Sequence, residues 1–197
     1  MITTIDEHSV DLSLLPEKAN ILDAGCRGMG FTNYFRQLGH KVVAIDIDYL
    51  ENSDYRRFGL AAIGGKAYIS THADPQARKL VSPKPFEKMN TANMKTLAAN
   101  EVYVLTLDQI KKGEGIESFD LIKLDIEGEE YSVLRTATHP IAKEISCEFH
   151  AHTGAQTKEE LDELLEWMSE WYTIHNAVWE KRHGCSENYW DVLMVSK

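Results

Sequence analysis

Short apolar runs separated by polar or helical stretches recur along the chain. Buried strands are predicted at these runs, which lie at Ala19 to Ala24, Lys41 to Ile45, Glu101 to Leu105, Phe119 to Leu124 and Glu144 to Phe149. Between the first two runs, apolar residues recur at helical spacing from Phe31 to Leu38, and Gly39 follows as a stop signal. A strand, a helix and a second strand in this order predict a βαβ unit, which requires a parallel sheet.

The remaining pattern completes an α/β arrangement. Further predicted elements are a strand at Phe58 to Ile63 with a hairpin-like extension at Ala67 to Ser70, a helix from Glu129 to about Ala137, a helix capped by Thr157 and Glu160, and an antiparallel pair at Tyr172 to Asn176 and Tyr189 to Ser196. Residues 72–100 are polar and irregular, which is typical of a lid or a mobile loop. We therefore predict a single domain over residues 1–197, with a mostly parallel, doubly wound sheet and an antiparallel C-terminal strand.

Composition and charge restrict the kinds of molecule that the protein is expected to bind. The formal net charge of −10 disfavours binding to nucleic acid or to an anionic membrane, since both attract basic surfaces. The three cysteines are widely spaced without a C-x-x-C motif, so neither a disulfide framework nor a zinc knuckle is indicated. The N-terminal segment lacks the features of a signal peptide, and no apolar run approaches the length of a membrane span. We therefore expect a cytoplasmic protein.

A glycine-rich turn follows the first predicted strand. The residues of interest in this turn are Asp23, Gly25, Arg27, Gly28 and Gly30, and the spacing G-x-x-G-x-G is the reverse of the dinucleotide fingerprint. Open α/β sheets bind nucleotide-like ligands at such turns, because the turns lie outside the carboxyl ends of the strands. We therefore interpret these five residues as a binding site for a nucleotide-like cofactor.

Two acids indicate which cofactor this is. Asp46 ends the second strand, where a carboxylate can accept hydrogen bonds from both ribose hydroxyls of a nucleoside, although an ordinary turn cap is the alternative. Asp23 would repel a pyrophosphate but would suit a cationic amino or sulfonium group, which favours S-adenosylmethionine over a nicotinamide dinucleotide. For Asp23, a structural acid bonded to the turn amides is the alternative.

Polar residues also alternate at the end of the strand that begins at Phe119. Lys123, Asp125 and Glu127 share parity, so in an extended strand they should point to one face and converge with the acids above. A buried lysine needs a counter-charge, and a cluster of ion pairs is one interpretation of this pattern. The other is an acceptor site that contains a general base.

The next strand end carries Glu148, His150 and His152, which alternate in the same way. A carboxylate with two imidazoles suits catalytic or substrate contacts. The same set could bind a divalent metal ion, completed by Asp125 or Glu127, or could form a structural network. The sequence does not decide among these three interpretations, and we commit to no metal.

One segment resembles a known family. The residues from Asp120 to Leu134, DLIKLDIEGEEYSVL, resemble the Lys-x-Asp-x-Glu-Gly-x-Glu core of the FkbM family of S-adenosylmethionine-dependent methyltransferases. Flanking matches follow in the expected order over residues 18–152, namely the glycine turn, the acid after the second strand, Ala61 to Gly64, Val104 to Asp108 and Glu148 to His150. The family's usual turn is closer to Asp-x-Gly-x-x-x-Gly, and Gly28 and Gly30 straddle the position of its last glycine.

The resemblance implies a Rossmann-like class I methyltransferase fold and the cofactor S-adenosyl-L-methionine. It also implies methyl transfer to a hydroxyl oxygen, and we expect the acceptor to be a sugar, a glycan or another small molecule. Two further cofactor contacts are expected at Ile63 and, where such folds often contact adenine, at Asp74. The residues that we assign to catalysis are Asp125, Glu127, Glu148 and His150. His150 is a candidate general base, because a free imidazole titrates near neutrality.

Other functions stay open at this point. A non-catalytic nucleotide-binding module would use the same turn, and a metal-assisted methyltransferase would add a divalent ion. A dehydrogenase is disfavoured by the reversed glycine spacing and by Asp23. An RNA cap methyltransferase is disfavoured by the net charge, and its Lys-Asp-Lys-Glu set cannot be assembled convincingly.

Overall fold

The computed structural model describes residues 1–48, 51, 54–69, 80–81, 101–150, 157–181 and 188–197. Its strands are β1 (Ile2–Ile5), β2 (His8–Asp11), β3 (Asn20–Ala24), β4 (Lys41–Asp46), β5 (Arg56–Arg57), β6 (Gly59–Leu60), β7 (Gly65–Ile69), β8 (Leu80–Val81), β9 (Glu101–Leu105), β10 (Phe119–Leu124), β11 (Ala142–His150), β12 (Tyr172–Lys181) and β13 (Asn188–Ser196). The described α-helices are α1 (Gly30–Gln37), α2 (Leu107–Glu114), α3 (Glu130–Arg135) and α4 (Lys158–Met168), and Leu12–Leu14 forms a 3-10 helix.

A seven-stranded sheet of order β12-β13-β11-β10-β3-β4-β5 lies at the centre. Strands β11, β10, β3, β4 and β5 run parallel, and β13 is antiparallel to both of its neighbours. Strand β10 lies in the middle, and all 6 of its residues are buried, as expected for a parallel strand covered on both faces. The prediction of a mostly parallel sheet with an antiparallel C-terminal strand is confirmed.

Layers on the two faces of the sheet form two hydrophobic cores. Consecutive strand residues point to opposite faces, so Ile21 packs with Phe31 of α1, whereas Leu22 packs on the other side. Helices α2, α3 and α4 cover that other side, where Ile110 of α2 and Leu164 of α4 contribute to the core. The sheet is therefore doubly wound, as predicted.

The hairpin of β1 and β2 lies on the same side as α1 and packs against β11. The sequence did not predict it, because residues 1–19 lack a clear strand pattern. Its two-residue turn places Asp6 and Glu7 at φ of 48° and 71°, the conformation of a type I′ turn that usually favours Asn or Gly. Asp6 Oδ2 also accepts a hydrogen bond from Phe31 N at 3.1 Å, and this contact offsets part of the conformational cost.

A second sheet of four strands has the order β6-β9-β7-β8. Of the strand predicted at Phe58 to Ile63, only Gly59–Leu60 is a strand, and it pairs with β9, whereas Arg56–Arg57 just before it joins the central sheet. Gly59 allows close packing here, since a Cβ would lie 3.0 Å from the side chains of Ile47 and Leu80. The predicted extension after Gly64 is a full strand, β7, that pairs antiparallel with β9.

The other predicted elements agree closely with the structure. The helix expected from Glu129 is α3, and Thr157 and Glu160 form the predicted capping box at the start of α4. Most of the predicted lid at residues 72–100 lies outside the described residues. None of the described helices is long and apolar enough to cross a membrane, and the cytoplasmic location stays a prediction.

Glu144 on β11 is fully buried beneath the hairpin. Its Oε1 accepts a hydrogen bond from Asp11 N at 2.5 Å, while its Oε2 has no hydrogen-bond partner among the described residues. Burial raises the pKa of Glu144 from 4.5 to about 7. The folded protein therefore binds this proton more tightly than the unfolded chain does. The contribution of Glu144 to the free energy of unfolding should accordingly decrease as the pH rises from 4.5 to about 7 and stay constant above that range.

Replacement of Glu144 with Gln tests this burial, because Gln keeps an acceptor for Asp11 N and carries no charge. We expect Glu144→Gln to raise the free energy of unfolding by about 1–3 kcal/mol near pH 8 and to leave it unchanged near pH 4. Urea unfolding at the two pH values measures the difference, and the exposed Glu163→Gln on α4 serves as the control. Equal stability of Glu144→Gln and the wild type near pH 8 would contradict the prediction.

Candidate active site

Lys123 lies between the glycine turn and the end of β10. In the parallel pairing of β10 with β3, Lys123 is opposite Asp23. Its Nζ donates a hydrogen bond to Gly25 O at 2.6 Å and lies 3.3 Å from Asp23 Oδ1 and 3.2 Å from Asp125 Oδ2. Burial would lower the pKa of Lys123, but Asp23 and Asp125 raise it above its ordinary value. The charged ammonium therefore joins the turn after β3 to the turn after β10.

Asp23 is held by contacts within the protein. It has no exposed surface, because its Oδ2 accepts a hydrogen bond from Thr32 Oγ1 at 2.5 Å and its Oδ1 faces Lys123. The contact with Lys123 is an ion pair without hydrogen-bond alignment. Asp23 therefore positions Lys123 and the first turn of α1, and its predicted contact with the cofactor stays a prediction.

Gly25 brings the turn into direct contact with the chain after β10. Its φ is +83°, and a Cβ at this position would lie 1.8 Å from Asp125 O, so no side chain fits. Gly25 N and Cys26 N both donate to Ile45 O, at 3.0 and 3.1 Å. These bonds place the turn beside Asp46, the next residue of β4. The ends of three strands thus meet at the glycine turn.

The N-terminus of α1 excludes one class of ligand. A Cβ at Gly30 would lie 2.6 Å from Asp6 Oδ2, and the same carboxylate accepts the hydrogen bond from Phe31 N. A helix N-terminus favours anions, and here a carboxylate of the chain itself fills that position. A pyrophosphate would meet a negative charge and an occupied site. Gly30 therefore serves the packing of the hairpin, and the contacts of Gly28 and Gly30 with the cofactor stay predictions.

Asp46 has the surroundings expected of a ribose acceptor. It is 8% exposed, and its Oδ1 accepts a hydrogen bond from Asp48 N at 2.8 Å, whereas Oδ2 has no hydrogen bond with the described residues. Burial raises the pKa of Asp46 to about 6, so the carboxylate is mostly ionised at neutral pH. Arg27 directs Nη1 to Asp48 Oδ2 at 3.0 Å, which links the glycine turn to the segment after β4.

Two predicted cofactor contacts stay predictions. Ile63 is 81% exposed on the segment between β6 and β7. Asp74 lies outside the described residues.

Carboxylates and imidazoles converge beyond Lys123, in what we call the acid–histidine cluster. Its members are His8, Asp125, Glu127, Glu130, Glu148 and His150. His150 Nε2 lies 3.5 Å from Asp125 Oδ1, 3.7 Å from Glu127 Oε1 and 4.0 Å from Glu148 Oε1. The structure therefore brings together all four residues that the sequence assigned to catalysis.

Glu130 orients His150 and was missed by the sequence analysis. Its Oε1 lies 2.9 Å from His150 Nδ1 and accepts a hydrogen bond from Ile126 N at 2.8 Å. Its Oε2 accepts another from Gly128 N at 2.9 Å. Glu130 is fully buried at the start of α3 and is the last acid of the motif that resembles the FkbM core. That motif was the available signal, but it gave the residue no role.

Glu127 reaches the cluster by a different route from the predicted one. Strand β10 ends at Leu124, so the shared parity of an extended strand does not extend to Glu127. The residue has a φ of 57° and precedes Gly128, whose φ is 110°. This left-handed turn directs the side chain towards His150, and the side chain remains 23% exposed. The predicted convergence of Glu127 was right, but the strand argument for it was wrong.

The residues of the acid–histidine cluster differ in the direction of their pKa shifts. Burial would lower the pKa of His150, but Glu130, Glu127 and Asp125 together raise it to about 10. These carboxylates favour the protonated imidazole at neutral pH, and the role of His150 in catalysis stays a prediction. Burial raises the pKa of Glu127 to about 7. For Asp125, burial is outweighed by Lys123 and the histidines, and its pKa falls below the ordinary range.

His8 is the second residue that the sequence analysis missed. It is 4% exposed on β2, and its Nε2 lies 3.7 Å from Asp125 Oδ2. No motif surrounds it in the sequence, and only the docking of the hairpin brings it to the cluster. Nothing in the local pattern could have identified it.

A family model described as the methyltransferase FkbM domain matches residues 23–174 of the chain. Among solved structures, a TehB-like SAM-dependent methyltransferase from Corynebacterium glutamicum is 17% identical, with a TM-score of 0.42 over 94% of this chain and 84% of that one. TrmK from M. capricolum, in complex with S-adenosyl-homocysteine, is 13% identical, with a TM-score of 0.44 over 95% of this chain and 69% of that one. The comparison with curated proteins gives no match.

Lys123→Met tests the ion-pair arrangement at the turn. Removal of the buried ammonium leaves Asp23 and Asp125 without their counter-charge, so we expect the free energy of unfolding to fall by about 3–5 kcal/mol. Urea unfolding measures the loss. The control is Lys158→Met, which removes the exposed pair with Asp162 and should cost about 0–1 kcal/mol. An equally small loss in both variants would show that Lys123 does not hold the turn.

Proposed function

Because its residues 23–174 match the methyltransferase FkbM domain, the chain belongs to this family, and we propose that it methylates a hydroxyl oxygen of a sugar or another small molecule. The family and the methyltransferase class predicted from the sequence are confirmed, as are the Rossmann-like fold class and S-adenosyl-L-methionine as the methyl donor. The proposal adds the type of acceptor and the roles of individual residues. The observation that supports it best is the acid–histidine cluster next to the glycine turn.

The cofactor side of the site is proposed to consist of the glycine turn and Asp46. The residues present suit this donor, because Asp46 is a buried carboxylate with an oxygen available to ribose hydroxyls, and the anion position at α1 is already filled by Asp6. S-adenosyl-L-methionine supplies an electrophilic methyl group on a cationic sulfonium. The acidic surroundings of Lys123 and the cluster favour a cationic ligand over a polyphosphate.

The acceptor side is proposed to use Glu127 as the general base. A general base must be accessible to the substrate, and its pKa must lie near the working pH. Glu127 is 23% exposed and its pKa lies near 7, whereas Asp125 is engaged by Lys123 and His150 is already protonated. In the proposed step, the acceptor oxygen forms a bond to the methyl carbon while the carbon–sulfur bond breaks. The hydroxyl proton passes to Glu127, and the sulfur keeps the electron pair as a neutral thioether.

The cluster supports a hydroxyl acceptor for a chemical reason. A neutral amine can attack a methyl group before it loses a proton, whereas a hydroxyl is a poor nucleophile until a base accepts its proton. A site with several carboxylates around an oriented imidazole supplies such a base. Alignment of the acceptor with the methyl group would contribute the rest of the rate.

Two substitutions separate binding from chemistry. We expect Glu127→Gln to lower the turnover number by about 10²–10⁴-fold, because the hydroxyl proton loses its acceptor, while the affinity for S-adenosyl-homocysteine stays unchanged. Asp46→Asn should weaken that affinity at least tenfold, because the ionised ribose acceptor is lost. Calorimetry measures binding. Turnover is followed as release of S-adenosyl-homocysteine with a panel of sugars and hydroxylated small molecules, with mass spectrometry of the products.

The outcomes discriminate among functions. Wild-type protein that binds S-adenosyl-homocysteine but methylates only amines would contradict the hydroxyl acceptor. Binding without any transfer would favour the non-catalytic nucleotide-binding module. Full turnover in Glu127→Gln would remove the base from the proposal while leaving the methyltransferase activity in place.

A further inference from the structure

His8 is a nearly buried imidazole whose ring nitrogens form no hydrogen bond with the described residues. Its side chain is 5% exposed, and its ring packs edge-on against Phe31 with centroids 5.8 Å apart. It forms no hydrogen bond with any residue that the structure describes, and its Nε2 lies 3.7 Å from Asp125 Oδ2, beyond hydrogen-bond range. Buried polar groups are almost always hydrogen-bonded, so an exception that points into a cluster of acids suggests a bound ion.

Two groups of three side chains are each close enough to hold one ion. The ligand atoms of His8, Asp125 and Glu148 all lie within 4.8 Å of one another, and the same holds for Asp125, Glu127 and His150. Asp125 belongs to both groups because its oxygens face different partners, Oδ2 towards His8 and Oδ1 towards His150. The two groups therefore lie side by side, and the first of them contains His8.

His150 positions two of these carboxylates. Its Nδ1 is held by Glu130, which is in turn fixed by two backbone amides, so Nε2 faces Asp125 and Glu148 at 3.5 and 4.0 Å. The imidazole thus helps to hold the two acids that lie together with His8.

The described side chains make the site acidic. Five carboxylates lie around it, those of Asp23, Asp125, Glu127, Glu130 and Glu148, with the ammonium of Lys123 and two imidazoles. Such surroundings attract cations rather than anions.

We propose that His8, Asp125 and Glu148 bind one divalent transition-metal ion of the Mn²⁺ to Zn²⁺ series. An imidazole with two carboxylates suits these ions better than Mg²⁺ or Ca²⁺, which prefer oxygen ligands throughout. His150 and Glu127 remain outside the ligand set, and Glu127 is the base. The catalytic part of the inference rests on the proposed function, since the ion would bind the acceptor oxygen and lower the pKa of its hydroxyl. The binding part is independent of it.

Titration of Mn²⁺ alone into the full chain tests the site. The protein is first treated with EDTA and desalted, and free Mn²⁺ is followed by electron paramagnetic resonance. We expect one Mn²⁺ per chain in the wild type, an affinity at least tenfold weaker in His8→Ala, and no change in the exposed control His139→Ala. The affinity of His8→Ala for S-adenosyl-homocysteine should stay at the wild-type value, which shows that the fold is intact.

A second measurement keeps the proposal testable if His8→Ala does not fold. In the wild type, substoichiometric Mn²⁺ should broaden the imidazole NMR signals of His8 and His150 before those of His40 and His139. Equal broadening of all four, or equal Mn²⁺ affinity in His8→Ala and the wild type, would overturn the site and indicate ions held loosely by surface acids.

Activity separates the two proposals. Methyl transfer that persists in EDTA, together with no stoichiometric Mn²⁺ binding, overturns the metal site and leaves the proposed function intact. Stoichiometric Mn²⁺ binding that His8→Ala weakens supports the site even if no hydroxyl compound is methylated, and the latter result would count against the proposed function alone.

Discussion

The buried ammonium of Lys123 is the interaction on which the rest of the site depends. A cation in the interior must be matched by nearby negative charge, and Asp23 and Asp125 provide it from the ends of two adjacent strands. The same contacts that stabilise the charge therefore hold the glycine turn against the end of β10. Gly25 completes the arrangement, since any side chain there would collide with the backbone of Asp125. The turn and the proposed acceptor side are thus built as one unit.

The hairpin of β1 and β2 extends this unit to a third element. One face of β11 carries buried polar residues, namely Glu144, Ser146, Glu148 and His150, whereas parallel strands covered on both faces are usually apolar throughout. The hairpin covers this polar row, donates a hydrogen bond to Glu144 and brings His8 to the cluster. Its left-handed turn and that of Glu127 both lie at the site, where such unfavourable conformations tend to be retained for function.

Much of the fold could be predicted because its signals are local. Buried strands, the capping box of Thr157 and the glycine turn each depend on residues close in sequence. The sequence also predicted that four side chains meet at one edge of the sheet, because the carboxyl ends of parallel strands share that edge. These are Asp125, Glu127, Glu148 and His150. The hairpin and His8 could not be predicted, because their positions depend on docking against β11 rather than on any local pattern. The protonation of His150 was equally hidden, since it results from Glu130, 20 residues away in sequence.

The central claim is that a single site joins the cofactor turn to the acid–histidine cluster. The most direct test is a crystal structure of the chain with S-adenosyl-homocysteine. We predict the ribose hydroxyls within hydrogen-bonding distance of Asp46 and the sulfur atom directed towards Asp125, Glu127 and His150. A ligand bound away from Asp46, or with its sulfur facing away from the cluster, would contradict the claim.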